Sequence, residues 1–418
     1  MILADLVVVG ISELATPSGK SSQVGADLGR LTLIQDAAIA CLEGRIVWVG
    51  LRRDLQQAVE PKANARHYDA AGGTVLPGYV DAHTHLPFAG WRESEFDERL
   101  RGATYSEIAA RGGGILSTVE NTRAATANDL TTLVKERLDR LLKLGTTTVE
   151  AKSGYGLTLE DECKQLQALR DAAAGHAVEI VPTFLGAHTV PKEFRPRRES
   201  YVELLIDQML PQVAAAGLAE YADAFVDANA FSVDEARRIL EAARSHGLGV
   251  RLHADQLADD GGAELAAQLG AASADHLEFS SERGMRALAD AGTSGVLLPA
   301  ATFFLMSDTP PPGRRLIEAG VPVVIATDFN PGSCPCDSMT VALWMACLTA
   351  RLSVDEAITA ATLNAACALG RGETQGTIEP GKRANFVVHR VPNRYHLVYR
   401  FGSSEIHAVV ANGVVYES

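Results

Sequence analysis

The sequence predicts an α/β protein in which a (β/α)8 TIM barrel carries a smaller β-sandwich built from both chain termini. Three observations carry that prediction. Short apolar runs alternate with amphipathic stretches through the middle of the chain, as parallel strands joined by crossover helices do. Both ends instead read as short β-branched strands separated by turns. The polar residues of chemical interest fall at the C-terminal ends of the apolar runs, where a barrel gathers its chemistry.

At the N-terminus, residues 6–9 and 37–40 are apolar runs, and Glu43-Gly44-Arg45 turns the chain into the run 46–49. The middle holds eight candidate strands at 79–83, 147–151, 178–183, 224–226, 249–253, 273–276, 295–299 and 321–327. Amphipathic stretches at 159–173, 232–246, 262–269, 281–291 and 337–351 fall between them. Eight strands over about 250 residues is the usual size of such a barrel. Near the C-terminus, residues 384–388 form one run, and 408–410 turns through Ala411-Asn412-Gly413 into 414–416. Asn-Gly between two Val-rich runs is a strong hairpin signal. We therefore expect residues 1–75 plus 372–418 to form a composite β-sandwich domain and 76–371 to form the barrel.

With 418 residues, 47% hydrophobic and 22% charged, the composition is that of a globular chain with a large core. A formal net charge of −14 argues against nucleic acid or an anionic membrane as partner. It also repels anionic substrates at long range, so a substrate anion needs a local Arg. Six cysteines show no disulfide or four-thiolate spacing, and Cys334-Pro-Cys336 reads as a pair of small loop residues. The first residues, MILADLVVVG, carry no basic leader, and no apolar stretch is long enough to span a bilayer. The expected compartment is the cytoplasm. The apolar stretch 339–348 makes a homodimer the expected assembly.

The chemistry starts at Val80-Asp81-Ala82-His83-Thr84-His85. Two histidines one residue apart at the end of an apolar run project from one face of a strand. Neutral imidazoles held that way suit a divalent transition metal. His253 closes a later run and supplies a third nitrogen, and Asp328 closes the run 323–328. A carboxylate at the end of a buried strand needs a partner, and a cation supplies one. Three histidines, one carboxylate and a water describe a metal site with an open position. The metal would acidify water and polarise a carbonyl, and Asp328 is the leading proton acceptor and donor. His276 ends the next strand; it touches the metal, orients the water or stabilises an oxyanion, with a hydrogen-bonding role favoured. Asp81 and Asp275 are possible acceptors behind the histidines, but alternation turns Asp275 away from the His276 face, and both stay outside the expected site. His67, His176, His246, His389, His396 and His407 read as ordinary histidines.

Leu76-Pro-Gly-Tyr-Val-Asp-Ala-His-Thr-His85, a His on a later strand and Asp328 last resemble the amidohydrolase superfamily. More closely, the chain is similar to the imidazolonepropionase family. The matching segments are His83-Thr-His-Leu-Pro-Phe-Ala-Gly-Trp-Arg92, Gly112-Gly-Gly-Ile-Leu-Ser-Thr118, Lys152-Ser-Gly-Tyr-Gly156, Phe184-Leu-Gly-Ala-His188, His253-Ala-Asp-Gln256, Ser273-Ala-Asp-His276 and Thr327-Asp-Phe-Asn-Pro-Gly-Ser333.

The resemblance implies hydrolysis of 4-imidazolone-5-propanoate to N-formimidoyl-L-glutamate with one zinc or iron ion per subunit. It implies His83, His85, His253 and Asp328 as metal ligands. It also implies Arg92, Tyr155, His188, Gln256, Asn330, Gly332 and Ser333 as substrate contacts. The residue chemistry agrees: the substrate is a small anion, and Arg92 suits a carboxylate in a fork. The alternative for Arg92 is a salt bridge within Arg92-Glu93-Ser-Glu95. Some relatives carry Glu where this chain has Gln256. Gln hydrogen-bonds within a catalytic site but cannot shuttle a proton, so that work falls to Asp328 with help from His276. Lys152 reads as a structural or substrate-side cation rather than a carboxylated bridging ligand. Gly112-Gly-Gly114 is either a hinge or a tight turn. The rival functions are another cyclic amidase or heterocycle deaminase on the same barrel and, from a different class, a non-catalytic metal- or ligand-binding barrel.

Overall fold

The computed structural model describes residues 1–103, 107–108, 113–228 and 230–417. In the N-terminal part, β1 (Ile2–Thr16) pairs antiparallel with β2 (Thr32–Leu42), which pairs with β3 (Arg45–Leu51). Strand β4 (Val59–Pro77) lies parallel to β1 on its other side. A single residue, Gly78, then separates β4 from β5 (Tyr79–Asp81). A Cβ at Gly78 would lie 2.4 Å from Thr147 Oγ1, so only glycine lets the chain pass from one sheet to the other here.

Seven parallel strands follow: β6 (Thr146–Lys152), β7 (Glu179–Ala187), β8 (Tyr221–Phe225), β9 (Gly249–Ala254), β10 (Ser273–His276), β11 (Ser294–Leu297) and β12 (Val323–Ile325). Together with β5 they form one sheet in sequence order. The first and last strands meet just past their ends, where Asp328 N donates to His83 O (3.1 Å) and His85 N to Phe329 O (2.9 Å). Those bonds bring the sheet round into a barrel and place Asp328 beside the two histidines. The helices Leu159–Ala173 and Gly262–Leu269 occupy the expected ranges, and the other stretches differ by one or two residues at their ends. Side chains set several starts: Thr126, Ser232 and Ser353 each accept from the backbone three residues on, while Asp129, Glu235 and Glu356 reach back. From Ala127–Lys143, Leu130, Val134, Leu138 and Leu141 bury one face, each worth about 1.5–3 kcal/mol.

After the barrel, β13 (Phe386–His389), β14 (Ile406–Ala411) and β15 (Val414–Glu417) complete the small sheet, in the order β15-β14-β13-β4-β1-β2-β3. Asn412 (φ 49°) and Gly413 (φ 78°) make the expected hairpin turn. Ile46 of β3 and Val415 of β15 share one buried cluster with Leu6, Val8, Val75 and Phe386, although β3 and β15 are the two edges of the sheet. The sheet therefore folds over on itself as a sandwich, drawing on both ends of the chain. Among the described residues no helix is long and apolar enough to cross a membrane.

The barrel interior is charged. Lys152 of β6 reaches Asp223 of β8 (2.9 Å) and Asp275 of β10 (3.8 Å), contacts that must cross the barrel because these strands are not neighbours. Glu150 and Arg251 join them, and none of the five side chains is exposed.

Candidate metal centre

His83 and His85 sit just past β5, which ends at Asp81. Cross-strand bonds hold the segment extended: besides those that close the barrel, Lys152 N donates to Thr84 O (2.9 Å). The histidines therefore share a face as period-two spacing expects. With His253 on β9, their ligand nitrogens lie within 4.8 Å of one another. His83 Nε2 and His85 Nε2 are each 3.5 Å from Asp328 Oδ1. Nε2 of His83 and of His253 are buried with no hydrogen-bond partner among the described residues.

Burial holds the His83 and His85 imidazoles well below their ordinary pKa, reinforced by Lys152 and the neighbouring histidines. They are thus neutral, with lone pairs available. Burial raises the Asp328 carboxyl, against the pull of His276 and His253. Unpartnered imidazole nitrogens around a buried carboxylate leave a position that a cation satisfies, and the donor set fits a divalent transition ion. Asp328 has φ 57° and His276 φ 81°, both in the left-handed region. Backbone strain of this kind persists where surrounding structure enforces it, commonly at functional sites.

The tautomers are set from behind. His83 Nδ1 lies 2.6 Å from Asp275 Oδ2, and His253 Nδ1 lies 3.1 Å from Asp223 Oδ1. Burial alone would raise Asp223, but His253 and Lys152 together hold it below the usual carboxylate range. Sequence reasoning set Asp275 aside and missed Asp223. Alternation predicts that Asp275 turns away from the His276 face, yet Asp275 Oδ2 and the His276 ring both approach His83, and His276 at φ 81° leaves the extended geometry that alternation requires. Asp81 instead accepts from Thr327 N (3.0 Å) and Oγ1 (2.6 Å), bracing the segment that bears Asp328. The unexposed Lys152 is an interior cation set among Glu150, Asp223 and Asp275, in keeping with the structural reading of it.

Around this cluster the rim residues assemble. His188 stacks on His85 (centroids 5.3 Å apart, planes 21° apart), with its Nδ1 3.0 Å from Gly154 O. Tyr155 lies 5.8 Å from His85 and 5.3 Å from His188, ring to ring. Its loop is held by buried Glu162, which accepts from the backbone of Gly154, Gly156 and Leu157; sequence reasoning did not find this residue. The His276 ring is 5.3 Å from His253 and 5.6 Å from His83, and burial lowers its pKa to about 3. Glu278, also missed, faces His276 Nδ1 at 4.0 Å, and Thr302 donates to its other oxygen.

The Asp328–Ser333 turn is tied internally. Asn330 Oδ1 accepts from Gly332 N and Ser333 N (both 2.8 Å), Asn330 Nδ2 donates to Asp328 O, and Ser333 Oγ donates to Asp328 Oδ2 (3.4 Å). Arg92 pairs through Nε with Glu95 (3.0 Å), as the local alternative had it. Its fork nevertheless covers the turn, since a Cβ on Gly332 would lie 2.2 Å from Arg92 Nη1. Gln256 follows β9 and is half-buried. Gly112 lies outside the described residues, while Gly114 adopts φ 74°.

A sequence model of the Amidohydrolase family matches residues 74–415. An imidazolonepropionase from Symbiobacterium thermophilum is 50% identical over 410 residues, 98% of this chain and 96% of the relative. One from Geobacillus kaustophilus is 46% identical, with 96% of each chain covered. Among solved structures, a Xanthomonas campestris adenosine deaminase with bound zinc superposes with a TM-score of 0.72 at 18% identity, covering 99% of this chain and 93% of that one. Escherichia coli guanine deaminase gives 0.68 at 19% identity, covering 99% of both. The structural matches share the barrel fold, whereas the full-length sequence matches are far closer: the chain belongs to the imidazolonepropionase family of the amidohydrolases.

Proposed function

We propose that this protein opens the ring of 4-imidazolone-5-propanoate by hydrolysis to N-formimidoyl-L-glutamate, a step of histidine degradation, at the His83–His85–His253–Asp328 centre with one Zn2+ or Fe ion per subunit. The observation that carries this reading is the convergence of those four side chains directly beside the turn that Arg92 covers. When bound, the ion supplies Lewis-acid polarisation of the ring carbonyl and acidifies water. The chain's own groups do the rest. Arg92 grips the propanoate carboxylate, and the backbone of Asn330, Gly332 and Ser333 approaches it closely. Tyr155, His188 and Gln256 hydrogen-bond the ring and its carbonyl. Asp328, oriented by Ser333 Oγ, takes a proton from the attacking water and returns it to the ring nitrogen as the C–N bond breaks. His276 stabilises charge developing on the carbonyl oxygen.

We further propose that two copies associate through the face bearing Met339–Thr349, where Leu348, Tyr399 and Phe401 are exposed, that the protein works in the cytoplasm, and that the two domains divide after residues 75 and 371. The test of the reaction follows imidazolone absorbance and ammonia together. Ring opening consumes the chromophore without free ammonia, whereas a deaminase would release one equivalent. Tight binding of the imidazolone to metal-loaded protein without turnover would replace the enzyme with a binding barrel.

A further inference from the structure

We propose that Lys152 is a positioning residue for the metal centre: its ammonium holds the carboxylates of Asp223 and Asp275, and through them the imidazoles of His253 and His83. The inference rests on the metal-centre reading above and goes one layer deeper. An ammonium has three donors and no acceptor. Lys152 Nζ donates to Glu150 Oε1 (2.7 Å), makes an ion pair with Asp223 Oδ2 (2.9 Å) and stands 3.8 Å from Asp275 Oδ2. The other oxygen of Asp223 takes His253 Nδ1, and the same oxygen of Asp275 takes His83 Nδ1. One buried cation therefore stands behind two of the three imidazoles, through carboxylates on strands that do not adjoin its own.

The second cation in the interior is less free to serve. Arg251 is anchored to backbone, donating to Ala82 O (2.9 Å) and Ala368 O (3.3 Å), and it approaches Asp275 at 3.6 Å without reaching Asp223 at hydrogen-bond distance. Lys152 is thus the link common to both acceptors. Partners of this kind fix ring orientation and tautomer, and their loss typically weakens metal affinity 10- to 100-fold.

The test uses full-length protein stripped of metal, with Lys152→Met and the double variant Glu150→Gln/Lys152→Met. The single change leaves interior carboxylates uncompensated and endangers folding. The double change removes one charge of each sign. Zn2+ affinity is read by competition with a chromophoric chelator, Co2+ geometry by its visible absorption, and folding by thermal melting. We expect the double variant to recover most of the lost melting temperature, yet to bind Zn2+ about tenfold more weakly and to give an altered Co2+ band. A double variant that recovers affinity and band along with melting temperature would make Lys152 a charge-balancing core residue and overturn the proposal. Wild-type protein that binds no ion would remove the metal-centre reading itself, which is a different failure from wild-type-like binding in the variants.

Discussion

Asp275 Oδ2 lies 2.6 Å from His83 Nδ1, and neither side chain is exposed. That contact commits the ring proton to Nδ1 and leaves Nε2 facing Asp328. Asp275→Asn keeps the size but removes the charge that favours this tautomer, so metal affinity should fall about 10- to 100-fold. Chelator competition measures it directly, and unchanged affinity would show that the tautomer is set elsewhere.

Asp328 is proposed both as ligand and as proton carrier. Asp328→Asn should lower kcat by about a thousandfold or more, within or beyond the range for loss of a general acid–base group. Steady-state turnover of metal-reconstituted protein checks this. Near-normal rates would assign the proton to another group.

Gly332 and Arg92 occupy adjoining space, so Gly332→Ala pushes the end of a flexible side chain rather than the backbone. Melting temperature should barely move. KM should rise about tenfold, one displaced charge-assisted contact, with kcat nearly preserved, and Arg92→Ala should show the same pattern more strongly. A large drop in kcat with normal KM would separate Arg92 from carboxylate binding.

Burial pushes Glu278 up to about 7 from an ordinary 4.5, with Asp328 adding and Thr302 opposing. The folded protein thus holds this proton more tightly than the unfolded chain does. The penalty for ionising Glu278 is fully present above pH 7, eases as pH falls through 7, and is gone below 4.5. Metal-free Glu278→Gln should therefore be more stable than wild type at pH 8, by up to about 3 kcal/mol, with the advantage fading toward pH 4.5. Denaturant melts across that range test it; a constant difference would mean that Glu278 does not titrate there.

The barrel strands were legible because each is a local apolar run, and so were His83, His85, His253 and Asp328, which stand at the ends of such runs. Period two was enough for the H-x-H pair even though β5 stops at Asp81. What lay hidden were pairings across the interior. Asp275 and His83 are 192 residues apart, and no local pattern says which carboxylate backs which imidazole. Arg92 illustrates the same limit: the local reading found Glu95, while its approach to Gly332 depends on the last barrel loop folding back over the first.

The pairing of β13 with the end of β4, His389 opposite Thr74 and Phe386 opposite Pro77, has a consequence during synthesis. A ribosome releases β1 to β4 long before β13 exists, so that edge of the sheet waits unpaired while the intervening helices and strands emerge. The small sheet can close only after every barrel strand has been synthesised, because β13 to β15 follow them in the chain.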